Sequence, residues 1–83
     1  MSTKLFVGSL PWSVNDDKLK STFEAHGNVV SAKVVMDRTT GRSRGFGFVE
    51  MGSADEANKA IKALNDSELG GRNIVVNDAK SRN

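Results

Sequence analysis

Apolar and polar positions along the chain change period four times. Leu5, Phe6 and Val7 form a short apolar run closed by Gly8-Ser9 and ended by Pro11, which predicts a strand from about Thr3 to Gly8. Asn15 is suited to cap a helix. Asp16 and Asp17 put negative charge in its first turn, Leu19 and Phe23 follow at helical spacing, and Gly27 stops it. Val29 to Met36 is rich in β-branched residues and predicts a second strand, with Met36 on its core side. A polar turn from Asp37 to Ser43, containing Gly41, leads to a third strand from Arg44 to Met51.

Ser53 with Glu56 three residues on has the pattern of a capping box. Ala57, Ala60, Ile61 and Leu64 then give a second helix its apolar stripe. Gly70-Gly71 breaks the chain, and Asn73 to Ala79 alternates into a fourth strand. The order is β-α-β-β-α-β, a split βαβ arrangement of α+β class. The expected architecture is ferredoxin-like: a four-stranded antiparallel sheet with two helices on one face. The other face is then left open, and function is to be sought there.

The third strand decides what the open face carries. Side chains alternate along it, so Arg44, Phe46, Phe48 and Glu50 share one side, and Gly45, Gly47, Val49 and Met51 the other. Val49 and Met51 suit the helix-covered core, which turns both phenylalanines outward beside two charged residues. The glycines beneath them are expected to ease close approach of a helix. In the first strand Leu5 and Val7 suit the core, so Phe6 also points outward. Rings exposed in this way cost solubility unless they meet a partner. Each can stack on an unpaired base, worth about 1–3 kcal/mol. A second layer or a dimer interface would also bury Phe46 and Phe48, and alternation alone does not choose between these.

Charge sharpens the picture. The net charge of +2 is small, but from Lys33 to Arg44 four cations (Lys33, Arg38, Arg42, Arg44) face one anion, Asp37. From Ser53 to Leu69 the balance reverses, with Asp55, Glu56, Asp66 and Glu68 against Lys59 and Lys62. A localised basic patch suits a polyanion, and mixed charge also serves solubility. Arg44 lies beside the rings, where it can meet a phosphate, and Arg42 extends the positive region.

At 83 residues the chain is sized for one domain, expected over residues 1–80 with a tail at 81–83. No cysteine is present, which excludes disulfides and thiolate metal sites. No apolar run approaches the roughly 20 residues of a membrane span. The opening segment does not read as a signal peptide, because one lysine and a short apolar stretch are followed at once by Gly, Ser and Pro. These features lead to the expectation of a soluble intracellular domain, taken as a cytoplasmic monomer with organelle or nucleus left open.

Arg44-Gly45-Phe46-Gly47-Phe48-Val49-Glu50-Met51 resembles the eight-residue signature of the RNA-recognition motif family at every position but the last, where Met51 replaces an aromatic. Leu5-Phe6-Val7-Gly8-Ser9-Leu10 resembles the family's six-residue signature, with Ser9 where Asn is common. The resemblance covers nearly the whole chain. It is nearest the short single-domain bacterial forms and the plant glycine-rich proteins, here without a glycine-rich tail. It implies binding of single-stranded RNA, with Phe6, Phe46 and Phe48 as stacking residues and Arg44 as a phosphate contact. Lys4, Lys33, Asn77 and Lys80 are implied flanking contacts, and ordinary solvated surface is the alternative for each. Alternation independently puts Asn77 on the open face with Val75, since Ile74 and Val76 suit the core.

Catalysis is not expected. The chain has one histidine, no cysteine and no Gly-rich phosphate loop before a helix. No cofactor or metal is expected either, and Asp37 is read as shaping its loop. Single-stranded DNA binding and a protein-interaction role on the same fold stay as alternatives. Trp12 is expected to pack against the side of the domain, with stacking on a base as the other reading, and His26 to be a polar residue at a helix end.

Overall fold

The computed structural model describes residues 3–41 and 43–79, and for Ser43 and Arg44 the backbone alone. Its elements run β1 (Lys4–Gly8), α1 (Asp16–Glu24), β2 (Val29–Met36), β3 (Ser43–Met51), α2 (Ala54–Leu64), β4 (Glu68–Leu69), β5 (Arg72–Asn73) and β6 (Val75–Asp78). Four strands make the main sheet in the order β2-β3-β1-β6, with every neighbouring pair antiparallel. The split βαβ expectation holds, and β1 and β3 are neighbours in the middle of the sheet.

Both helices lie on one side of this sheet. α1 packs on β2 and β3, and α2 on β1, β3 and β6. One buried cluster joins Leu5, Val7, Val34, Val49, Met51 and Val76 from the strands, Leu19 and Phe23 from α1, and Ala57, Ala60 and Leu64 from α2. These are the positions that strand alternation and helical spacing turn toward each other.

The helix starts follow their capping residues. Asn15 Oδ1 accepts from the Lys18 N–H at 2.8 Å, which starts α1. At α2, Ser53 Oγ accepts from the Glu56 N–H at 3.2 Å, as expected for the first half of a capping box. Glu56 reaches back to the Ser53 side chain and out to a second element. Its Oε1 accepts from the Ser53 hydroxyl at 3.1 Å, and its Oε2 accepts from the Asn28 N–H at 2.7 Å, which ties the helix start to the entrance of β2.

The structure departs from the sequence reading at three places. The segment expected as one strand from Asn73 to Ala79 is divided: Asn73 belongs to a small hairpin, β4–β5, and the sheet strand proper is Val75–Asp78. Gly70 (φ 62°) and Gly71 (φ 92°) supply the left-handed pair that a two-residue hairpin turn requires, so they pair the chain with itself as well as interrupting it. Second, α1 ends at Glu24, ahead of Gly27. Third, Met36 is 47% exposed where the core was expected. Met36 is the last residue of β2, past a register shift that separates its pairing with Ser43 from that of Val34 with Gly47, and it lies outside the buried cluster that holds Val34.

Both outer strands have backbone groups covered. Asp16 Oδ1 accepts from the Val34 N–H at 2.7 Å on β2, and Asn65 Oδ1 accepts from the Val76 N–H at 3.0 Å on β6. Such contacts occupy groups that would otherwise template pairing with another strand.

Candidate nucleic-acid interface

The helix-free face of the sheet is built around β1 and β3. Phe6 and Phe48 are direct cross-strand partners, and Gly8 pairs with Phe46. The three rings touch. Their centroids are 5.8 Å apart for Phe6–Phe46, 5.9 Å for Phe6–Phe48 and 6.2 Å for Phe46–Phe48. The Phe46 and Phe48 rings are nearly perpendicular, at 89°, whereas Phe6 and Phe46 are inclined by only 30°. All three side chains are half-buried, by each other and by the sheet, and keep open area toward solvent. Among the described residues no second layer covers them.

Polar groups frame this platform. Lys4 starts β1 and holds its ammonium 5.8 Å from the Phe48 ring centroid. Lys33 on β2 is the cross-strand partner of Phe48, and Asn77 on β6 is the partner of Phe6, so the two flank the rings from opposite sides. Both are exposed. The β3 backbone carries Arg44 at the end of the same strand, two residues before Phe46. Arg42 and Lys80, also expected at the site, lie outside the described residues.

Lys33 was expected at the face, but the rest of its β2 margin was not. Ser31, Lys33, Val35, Met36 and Arg38 line a shallow pocket with Lys4, Phe48 and Glu50. Where β2 runs out past the buried cluster, as at Met36, depends on how the strands pair, which leaves no mark in local composition.

The reading also erred on Trp12, which is 70% exposed. Its neighbours Leu10, Pro11 and Val14 are buried and take the packing position in that loop. Asp37 shapes its loop as expected: its Oδ1 accepts from the Thr39 N–H at 2.7 Å and the Thr40 N–H at 3.3 Å. Among the described residues no helix is long and apolar enough to cross a membrane.

A split βαβ domain whose helix-free face presents touching rings, edged by ammonium and amide groups, defines a surface suited to unstacked bases and the phosphates between them. Comparison with known proteins agrees with that class. The family model described as "RNA recognition motif" matches residues 5–75, and the chain belongs to this family. The mitochondrial glycine-rich RNA-binding protein 4 of Arabidopsis thaliana is 54% identical over 82 residues, covering 99% of this chain and 60% of that protein. The chloroplastic 28 kDa ribonucleoprotein of Spinacia oleracea is 54% identical over 81 residues, covering 98% of this chain and 35% of that protein. The chain thus spans less than two thirds of the length of these relatives. Among solved structures, the RNA-binding protein PG1 superposes with a TM-score of 0.90 at 44% identity, covering 99% of both chains. A structure named as an Sxl-lethal protein/RNA complex superposes with a TM-score of 0.87 at 38% identity, covering 93% of this chain and 47% of that one.

These names correct the expectation of a cytoplasmic protein. Relatives whose names carry a compartment are chloroplastic or mitochondrial, which points to an organelle and away from the cytoplasm. The packing of a sheet domain carries no compartment address, so composition held nothing from which to read one.

Proposed function

We propose that this domain binds single-stranded RNA without catalysis, stacking successive bases on Phe6, Phe46 and Phe48. The observation that carries the reading is the contact of three half-buried rings on the helix-free face, with centroids within 6.2 Å of one another. Rings in mutual contact offer adjoining π-faces, and every base has a face to lay on them. Lys4, Lys33 and Arg44 meet phosphates along the strand, and Arg42 and Lys80 extend that contact. Asn77 offers an amide to a base or sugar beside Phe6. The domain takes in residues 1–80, with 81–83 as a tail, and acts as a monomer in handling RNA after transcription. RNA is preferred to DNA as the partner because the relatives are named as RNA-binding proteins and ribonucleoproteins.

The test is a titration of a short fluorescent single strand, RNA or DNA of the same sequence, into wild type and into Phe46→Ala/Phe48→Ala. Loss of two stacks at about 1–3 kcal/mol each predicts a complex weaker by about thirtyfold or more. Circular dichroism must show the variant folded, since both rings also touch Phe6. Equal binding by the two proteins refutes the platform, and tighter binding of DNA than of RNA refutes the choice of partner.

A further inference from the structure

A carboxylate stands on the proposed polyanion-binding face, at the Lys4 end of the central strand pair. Glu50 is half-buried on β3, two residues beyond Phe48. Its cross-strand partners are Lys4 on β1 and Ser31 on β2. Among the described residues its side chain makes no hydrogen bond or ion pair. Lys4 carries its ammonium over the Phe48 ring. Glu50 lines the pocket on the β2 margin together with Ser31, Lys33 and Phe48. A negative group there repels phosphate. It can serve a nucleic acid by accepting hydrogen bonds, from a ribose 2′-hydroxyl or from a base, and its place beside the Phe48 ring favours a base.

We infer that Glu50 selects guanine in this pocket, with Lys33 beside it as the complementary donor. The inference rests on the single-strand reading above. Two adjacent carboxylate oxygens match two adjacent donors, and the Watson–Crick edge of guanine alone offers them, as N1–H and the N2 amine. Its next group is the O6 acceptor. Lys33 is opposite Phe48 and therefore diagonal to Glu50 on the same face, within reach of a long side chain. A carboxylate followed by an ammonium presents acceptor, acceptor, donor, the order cytosine shows to guanine. Adenine and cytosine each give one amine and set a lone pair against the second oxygen. Uracil gives one N–H between two carbonyls, which face the carboxylate unfavourably. Charge-assisted bidentate contacts of this kind are the stronger and more directional hydrogen bonds.

The test uses three eight-nucleotide RNAs: oligouridine, the same strand with one internal guanosine, and the same with inosine there. Inosine keeps N1–H and O6 and lacks the amine. Wild type should bind the guanosine strand about tenfold more tightly than oligouridine, and inosine should forfeit most of that gain. Glu50→Gln is nearly isosteric and replaces one acceptor by a donor. It should bring the guanosine-to-uridine ratio to within about twofold and leave oligouridine binding equal or tighter. A wild type without guanosine preference, an inosine strand that binds like guanosine, or Glu50→Gln with its ratio intact overturns the proposal. Failure of the platform looks different, because Phe48→Ala would then bind all three strands as wild type does. A wild type that binds none of the strands removes both readings together.

Discussion

Phe46 and Phe48 take their places because the residues between and beyond them have no other place to go. Val49 and Met51 are buried to 1% exposure or less, and each commits its strand neighbours to the opposite face. That much of the site was legible from the sequence, since a period of two needs no knowledge of the partner strands. The reason for Gly47 was not legible. It was expected to admit a helix, but a Cβ there would come within 2.5 Å of the Lys33 carbonyl oxygen and 3.0 Å of the Val34 Cα, both backbone atoms of the neighbouring strand. A methyl group at this position must push β2 away from β3, since neither atom can rotate aside. Gly47→Ala should therefore cost about 1–3 kcal/mol, the range of an overpacked core, read as a lower urea midpoint at unchanged m-value. The same variant should weaken RNA binding only as far as Lys33 is displaced from Phe48. Trp12 and Met36 escaped the sequence reading for a related reason: neighbours already fill the core in one case, and the strand runs past the buried cluster in the other.

At the scale of elements, Glu56 does the most joining. It receives the Asn28 N–H and the Ser53 hydroxyl, so one carboxylate fixes both the first turn of α2 and the chain entering β2. Ser53 has only the local half of that arrangement. Glu56→Ala should cost about 1–2 kcal/mol, as expected for loss of hydrogen bonds to a charged acceptor, and Ser53→Ala about 1 kcal/mol, an ordinary capping loss. Equilibrium denaturation of the two single variants and the double variant checks this. The double variant should lose less than the sum, because the Ser53–Glu56 contact is counted in both singles. The order of the large elements was legible throughout, since each has a period, a cap or a breaker of its own. Two features were not. The β4–β5 hairpin depends on Gly70 and Gly71 both taking positive φ, and the Asn28 contact spans 28 residues of sequence. Local patterns carry no record of contacts so distant.

Over the whole molecule the two faces of the sheet have different electrostatic characters. On the helix side, cations and anions are mixed along each helix. Lys20 and Glu24 are paired at 4.0 Å, and α2 sets Asp55 and Glu56 against Lys59 and Lys62. Around the rings the described cations are Lys4, Lys33 and Arg38, with Glu50 as the anion among them. With a net charge of only +2, any pull on RNA must come from this arrangement rather than from the molecule's total. Few phosphates can then be neutralised. Each releases about 0.7 of a counterion from a single strand, so three or four contacts predict a slope of log K against log salt of about −2 to −3. Stacking on the rings carries no such dependence, and affinity should level off above zero at high salt. With oligouridine, where Lys33 has no guanine O6 to meet, Lys33→Ala should make the slope shallower by about 0.7, whereas Lys62→Ala, on the far side of the sheet, should leave it unchanged. Anisotropy titrations of one short RNA over a series of salt concentrations measure both. Equal shifts for the two variants would mean that the RNA responds to overall charge, and the sheet face would lose its claim to the phosphates.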